Sequence, residues 1–144
     1  MKKPAIKPLS KFSGPLLLAG AGKMGGALLD GWVACGLAPK RIVVIEPQPG
    51  KAVKALARRG LKLNPKGKAV EAAAIVIAVK PQTAPEAVTP LGAYVGKATL
   101  VLSIMAGRTI GFLEKSLPPD TAIVRAMPNT PAAIGRGISV AVAN

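Results

Sequence analysis

The chain has 144 residues, half of them apolar and only 3% aromatic, and its 20 Lys and Arg against 6 Asp and Glu give a formal charge of +14. That length suits one domain with a single core, and the apolar share argues for a globular chain over disorder. A single cysteine, Cys35, excludes an internal disulfide, and the absence of histidine excludes histidine acid–base catalysis and histidine metal sites, so no metal is expected.

Met1 to Ser13 carry Lys2, Lys3, Lys7 and Lys11 with no acid. No apolar segment follows before Gly14, so residues 1–14 read as a basic flexible arm and not as a signal peptide. From residue 15 to 144, strand and helix patterns alternate. Pro15 to Gly20 is a short apolar strand. Lys23 to Cys35 follows with helical spacing, Met24, Ala27, Leu28, Gly31 and Trp32 forming its apolar stripe and Gly36 closing it. Arg41 to Ile45 reads as a strand, Gly50 to Arg59 as a basic helix ended by Gly60, and Leu61 to Leu63 as a short third strand. Ala74 to Val79 is an unbroken apolar run, as in a strand covered on both faces. Pro85 to Tyr94 reads as a helix that Pro90 bends or breaks. A strand over Thr99 to Ile104, a helix over Thr109 to Leu117 and strands over Thr121 to Met127 and Gly137 to Ala143 complete the chain. The alternation predicts an α/β fold: a Rossmann-like, doubly wound, mostly parallel sheet with helices on both faces. No apolar run approaches the ~20 residues that cross a membrane, and a reducing, cytoplasmic setting is expected.

Between Pro47 and Val70 lie seven basic residues and no acid. With no set of stacking aromatics and no zinc-ligand pattern beside them, they read as a solvated basic face whose field draws in an anionic cofactor, and no nucleic-acid partner is expected.

Gly20-Ala21-Gly22-Lys23-Met24-Gly25 is a G-x-G-x-x-G that leaves a strand and opens an amphipathic helix. Gly20 permits the tight turn, Gly22 lets backbone approach a pyrophosphate, and Gly25 lets helix and strand pack closely. The phosphates then meet free N–H groups and the positive end of the helix. Glu46, 21 residues after Gly25 at the end of the second strand, is placed to accept from the adenosine ribose. The cofactor expected is NAD(P)H. Glu46 tilts the choice toward NADH, and Lys51 and Lys54 oppose it as partners for a 2′-phosphate.

Three later strands end in segments that open onto the same crevice: Val79-Lys80-Pro81-Gln82, Ser103 to Gly107, and Met127-Pro128-Asn129-Thr130-Pro131. With the glycine loop, Ala78 to Gln82, Ser103 with Ala106-Gly107, Arg125 with Met127 to Pro131, and Gly135-Arg136-Gly137 resemble, in order, the motifs of pyrroline-5-carboxylate reductases. The resemblance runs from about Leu16 to Asn144. It implies hydride transfer to the C=N of a cyclic imine, giving proline, with pyrroline-5-carboxylate as the small-molecule substrate. It also implies that Val79, Lys80 and Pro81 lie along the nicotinamide and its ribose. Ala106, Gly107, Met127, Pro128 and Asn129 would frame the nicotinamide, with Lys80, Asn129 and Thr130 toward the substrate. Members of that family continue into a helical domain that forms the homo-oligomer and closes the substrate pocket. The chain therefore corresponds to the cofactor-binding N-terminal part, incomplete for catalysis by itself, and no general acid stands out.

Plainer roles stay open for several of these residues. Lys80 can cap a strand end, Asn129 can bond its own turn, Arg125 can serve in packing or at the surface, Met24 and Trp32 fit a core stripe, and Cys35 fits a small buried residue. Two other classes share the glycine loop: a nicotinamide oxidoreductase of the β-hydroxyacid dehydrogenase or F420-dependent NADP reductase type, and a dinucleotide-binding module without catalysis. The K-P-Q and M-P-N-T-P segments speak against the first.

Overall fold

The structure, a computed structural model, describes residues 8–129, 131, 134 and 136–144. Thr130, Gly135 and residues 1–7 of the basic arm lie outside the described residues. In chain order the elements are β1 (Leu16–Ala19), α1 (Lys23–Ala34), β2 (Ile42–Ile45), α2 (Lys51–Arg58), β3 (Lys62–Leu63), β4 (Ala74–Ile77), α3 (Ala84–Val88), β5 (Leu100–Ser103), α4 (Ile110–Ser116), β6 (Ala122–Pro128) and β7 (Ser139–Ala143). They build one sheet of order β3-β2-β1-β4-β5-β6-β7, parallel except where β7 turns back against β6.

The apolar runs are explained by a core on each face. Leu17, Ala19, Val43, Ile75, Ile77, Val101 and Ile123 point to one side and pack with Ala84 and Val88 of α3 and Leu113 of α4. Leu16, Leu18, Ile42, Val44 and Val76 point to the other and pack with Leu29 of α1 and Val53 and Leu56 of α2. Successive strand residues face opposite cores, so both must be apolar, at ~1.5–3 kcal/mol for each large side chain fully buried. Helices thus cover both faces. The exception is the β3–β4 crossover, where residues 64–73 form a loop and no helix.

Two sequence expectations change, the buried stripe of α1 and the place of Cys35, while the break at Pro90 falls as expected. The buried face of α1 centres on Gly25 and Leu29, with Leu28, Trp32 and Val33 half-buried beside them, while Gly31 is exposed and Met24 joins neither core. The reason is Gly25, whose close seat on the loop below rotates the helix away from the stripe through Met24. The helix expected from Pro85 to Tyr94 stops at Val88 and tightens into a 3-10 turn over Thr89–Tyr94, because Pro90 has no N–H to continue the ladder. Cys35 caps α1 half-buried, its own N–H donating to the Gly31 carbonyl, and is not a core residue. β7 is exposed along its whole length, with Ile138, Val140 and Val142 apolar and uncovered. Among the described residues no helix is long and apolar enough to cross a membrane, and no cluster of three potential metal ligands occurs.

Candidate cofactor cleft

β1 is the central strand at which the chain order reverses: β2 and β3 lie on one side, β4, β5 and β6 on the other. In such sheets the crevice beyond the strand ends at the reversal is where a ligand binds. The glycine loop occupies that position. Gly20 donates to the Ile45 carbonyl at 2.9 Å, and Ala78, just past β4, donates to the Ala19 carbonyl at 2.7 Å. The three glycines answer different demands. Gly20 has φ +87°, and a Cβ there would lie 2.6 Å from the Ala78 oxygen. A Cβ on Gly25 would overlap the Gly20 carbonyl oxygen and lie 3.0 Å from its carbon. Gly22 faces open space, with nothing within 4 Å of where a Cβ would be. It is the N-cap of α1 and offers no side-chain cap, and the ladder begins with Gly26 donating to its carbonyl at 2.7 Å. The earlier N–H groups of α1 have no intrahelical acceptor, and Gly22 beside them leaves open space where a side chain would stand. A pyrophosphate fits this cradle: it needs donors, a positive helix end and no side chain in its path.

Two recesses flank the loop. One, of about 360 Å³ between α1 and the start of α2, is lined by Gly22, Lys23, Gly26, Gly50 and Lys51 among others. Near it the Glu46 carboxylate accepts from Ala21 N–H at 2.8 Å through Oε2 and from Gln48 N–H at 2.9 Å through Oε1. Asn64 holds the Glu46 backbone at both polar atoms, its Oδ1 accepting from the N–H and its Nδ2 donating to the carbonyl, each at 2.8 Å. Asn64 has φ 44°, a left-handed conformation that asparagine tolerates. Sequence reading missed it; an asparagine directly after β3 was the available signal.

The second recess, of about 230 Å³, lies over the ends of β4, β5 and β6 and is lined by Met24, Ala78, Val79, Pro81, Ile104, Met105, Ala106 and Pro128. Met24, whose place on the stripe suited a core residue, is therefore a wall of the cleft. The structure brings Val79, Pro81, Ala106 and Pro128 together here as expected. Lys80, Gly107, Met127 and Asn129 are exposed beside it and are not among its lining residues. The Lys80 carbonyl accepts from the Thr83 N–H and hydroxyl, both at 3.0 Å, closing the turn after β4. Among the described residues, the Asn129 Oδ1 accepts from Ile138 N–H at 2.9 Å and ties the end of β6 to the approach to β7.

Arg108 is a second residue of the cleft that sequence reading did not single out. Its Nε and Nη2 donate to the Pro81 carbonyl at 3.0 and 2.7 Å, and its guanidinium stacks 4.7 Å from the centre of the Phe112 ring. It thereby clamps the turn after β5 to the turn after β4 across 27 positions of sequence. Nothing local marks an arginine for that role. Arg125, in register with Ser103, keeps its Nε buried without a partner among the described residues.

The model of a family described as NADP oxidoreductase, coenzyme F420-dependent, matches residues 16–107. The pyrroline-5-carboxylate reductase of Escherichia coli (strain K12) is 35% identical over 128 residues, covering 87% of this chain and 48% of that protein. Among solved structures, a pyrroline-5-carboxylate reductase from Coxiella burnetii superposes with a TM-score of 0.78 at 30% identity, over 91% of this chain and 50% of that one. The Plasmodium falciparum pyrroline carboxylate reductase with NADP bound gives 0.74 at 27% identity, over 92% of this chain and 48% of that one. The chain thus spans about half the length of the relatives it matches.

Proposed function

The chain belongs to the family described as NADP oxidoreductase, coenzyme F420-dependent, and on that premise we propose that it forms the cofactor-binding part of a pyrroline-5-carboxylate reductase. The observation that carries this reading is the glycine loop at the strand-order reversal, with Gly22 open over the start of α1 and a recess on either side. The loop N–H groups and the positive end of α1 would hold the pyrophosphate, and Glu46 the adenosine ribose. Val79, Pro81, Ala106 and Pro128 would seat the nicotinamide, with Lys80, Asn129 and Thr130 on the substrate side. The reduced nicotinamide supplies the hydride for the C=N carbon of pyrroline-5-carboxylate.

The part left to these residues is placement and exclusion of water. Apolar walls from Met24, Val79 and Met105 keep a flat ring in one orientation, and Arg108 holds two of the walls in register. Orientation of two flat rings supplies much of such a rate, so the lack of a histidine acid is compatible with the reaction. Glu46 tilts the cofactor choice toward NADH, because a carboxylate pinned at the loop by Ala21 and Gln48 repels a 2′-phosphate. Lys51 at the same recess opposes it, and the Plasmodium relative binds NADP. The uncovered strip of Ile138, Val140 and Val142 is proposed as the seat of the helical domain that closes the substrate side and carries the homo-oligomer in that family, in a cytoplasmic setting.

A chimera tests this. The chain replaces the matched half of the Escherichia coli relative, and cofactor binding and pyrroline-5-carboxylate-dependent oxidation of NADH and NADPH are measured on the chimera and on the 144-residue polypeptide. The expected result is cofactor binding by both and turnover on the order of ~10 per second only in the chimera. A folded chimera that binds cofactor and leaves pyrroline-5-carboxylate untouched overturns the proposed substrate. Ordinary turnover by the 144-residue polypeptide overturns the division of labour.

A further inference from the structure

Three of the seven basic residues between Pro47 and Val70 line one hollow, while the other four lie on α2 and its C-terminal end. Lys62, Lys66 and Lys68 gather with Lys40 and Arg41 around a cavity of about 520 Å³, larger than either recess of the cofactor cleft, and no Asp or Glu is among its lining residues. It lies at the opposite end of the sheet. Gly14 and Pro15 lead into β1, Lys40 and Arg41 into β2, and Lys62 begins β3, so the rim is made by strand beginnings.

The fold explains the hollow. The β3–β4 crossover has no helix, so on the face opposite α2 the sheet edge is covered only by the loop through Pro65, Gly67 and Val70. Lys62 is in register with Val43 and shares its face, so its chain rises from the floor of the cavity. Arg41 is anchored by donating to the Phe12 carbonyl. Gly67, at φ +94°, turns the loop so that Lys66 and Lys68 flank the same opening. Val43, Val70 and Tyr94 add an apolar floor and wall, with Val70 61% exposed. The nearby acid Glu71 is not among the lining residues; its carboxylate packs over Gly96.

Five like charges around a concave surface repel one another, and a concave wall focuses their field. Solvated lysines on a convex face escape that repulsion by splaying apart; here the backbone holds their origins around one hollow. We propose that this cavity is a binding site for a phosphorylated small molecule bearing several negative charges, separate from the cofactor cleft. Its phosphates would meet the lysines and Arg41, and its carbon portion Val70 and Tyr94.

The test uses inorganic tripolyphosphate as the probe, with binding followed by calorimetry at fixed ionic strength. Three variants are compared with the parent: Lys62→Gln/Lys66→Gln at the cavity; Lys115→Gln/Arg136→Gln, an equal charge loss at exposed positions away from it; and Gly22→Asp at the cofactor loop. The expected result is a loss of about tenfold in the cavity pair, less than twofold in the control pair, and none in Gly22→Asp. Equal losses in the two pairs would reduce the effect to net charge, and loss in Gly22→Asp would place the anion at the glycine loop; either overturns the proposal. A single-stranded oligonucleotide that binds more tightly than tripolyphosphate, and is weakened by the cavity pair, would overturn it in favour of a nucleic-acid surface. All four Lys and Arg positions are exposed, so the substitutions leave the fold in place, which thermal melting checks.

Discussion

Two glycines three positions apart should fail in opposite ways. Gly25→Ala adds a methyl that overlaps the Gly20 carbonyl oxygen and sits 3.0 Å from its carbon and 3.3 Å from the Ala78 Cβ. Two of those atoms are backbone at the end of the central strand, which cannot swing aside, so α1 must lift. Overpacking of this kind costs ~1–3 kcal/mol, which for a domain of this size lowers Tm by roughly 3–10 °C. Cofactor binding then falls because the loop is displaced. At Gly22, φ is −71° and nothing lies within 4 Å, so Gly22→Asp should keep the parent Tm within about 1–2 °C. Its carboxylate, however, occupies the pyrophosphate path. Two unit charges 4 Å apart repel by ~4 kcal/mol near a protein surface, and solvent at this exposed loop reduces that to about 2–3 kcal/mol, a loss of roughly 30–150-fold in affinity. Thermal melts and titration of NADH fluorescence on both variants decide the matter. A Gly22→Asp protein that binds cofactor within a few-fold of the parent would refute the phosphate cradle. Equal loss of Tm in both variants would mean that the loop is only a packing device.

Removing the charge at the ribose position, as Glu46→Ser, should raise NADPH affinity relative to NADH by several-fold, since repulsion of a 2′-phosphate is lost while Lys51 remains; an unchanged ratio of the two dissociation constants would remove Glu46 from that role. Arg108→Ala loses both hydrogen bonds to the Pro81 carbonyl and the stacking on Phe112. It should cost about 1–2 kcal/mol of stability, with cofactor affinity weakened through the loosened second recess. Arg108→Lys, which keeps the charge and loses the paired donors, should recover little, and full recovery would show that charge alone matters.

The sheet was legible because its cause is local. Ala74 to Ile77 and Leu16 to Ala19 are apolar at every position because each strand feeds two cores, and that demand is written in consecutive residues. The glycine loop was legible for a like reason: the positive φ of Gly20, the open space at Gly22 and the seat of Gly25 on the Gly20 carbonyl fall within one short stretch of consecutive residues. Even Pro90 announced the break in its helix, since the missing N–H belongs to the residue itself.

Other features needed the assembled molecule. The face of α1 that is buried follows from how Gly25 seats on Gly20 and Ala78, and the helical period alone put Met24 in the core where the structure puts it in the cleft. The Glu46–Ala21 bond joins residues 25 apart, the Arg108–Pro81 clamp spans 27, and Asn129 reaches Ile138 across the turn into β7. The lysines around the basal cavity come from the starts of β2 and β3 and from a crossover that lacks its helix. Composition recorded their number; only strand order and the path of residues 64–73 made them neighbours. A residue's type and spacing state what it can bond, but which partner it meets depends on which strands lie side by side, a choice made by the packing of the whole chain.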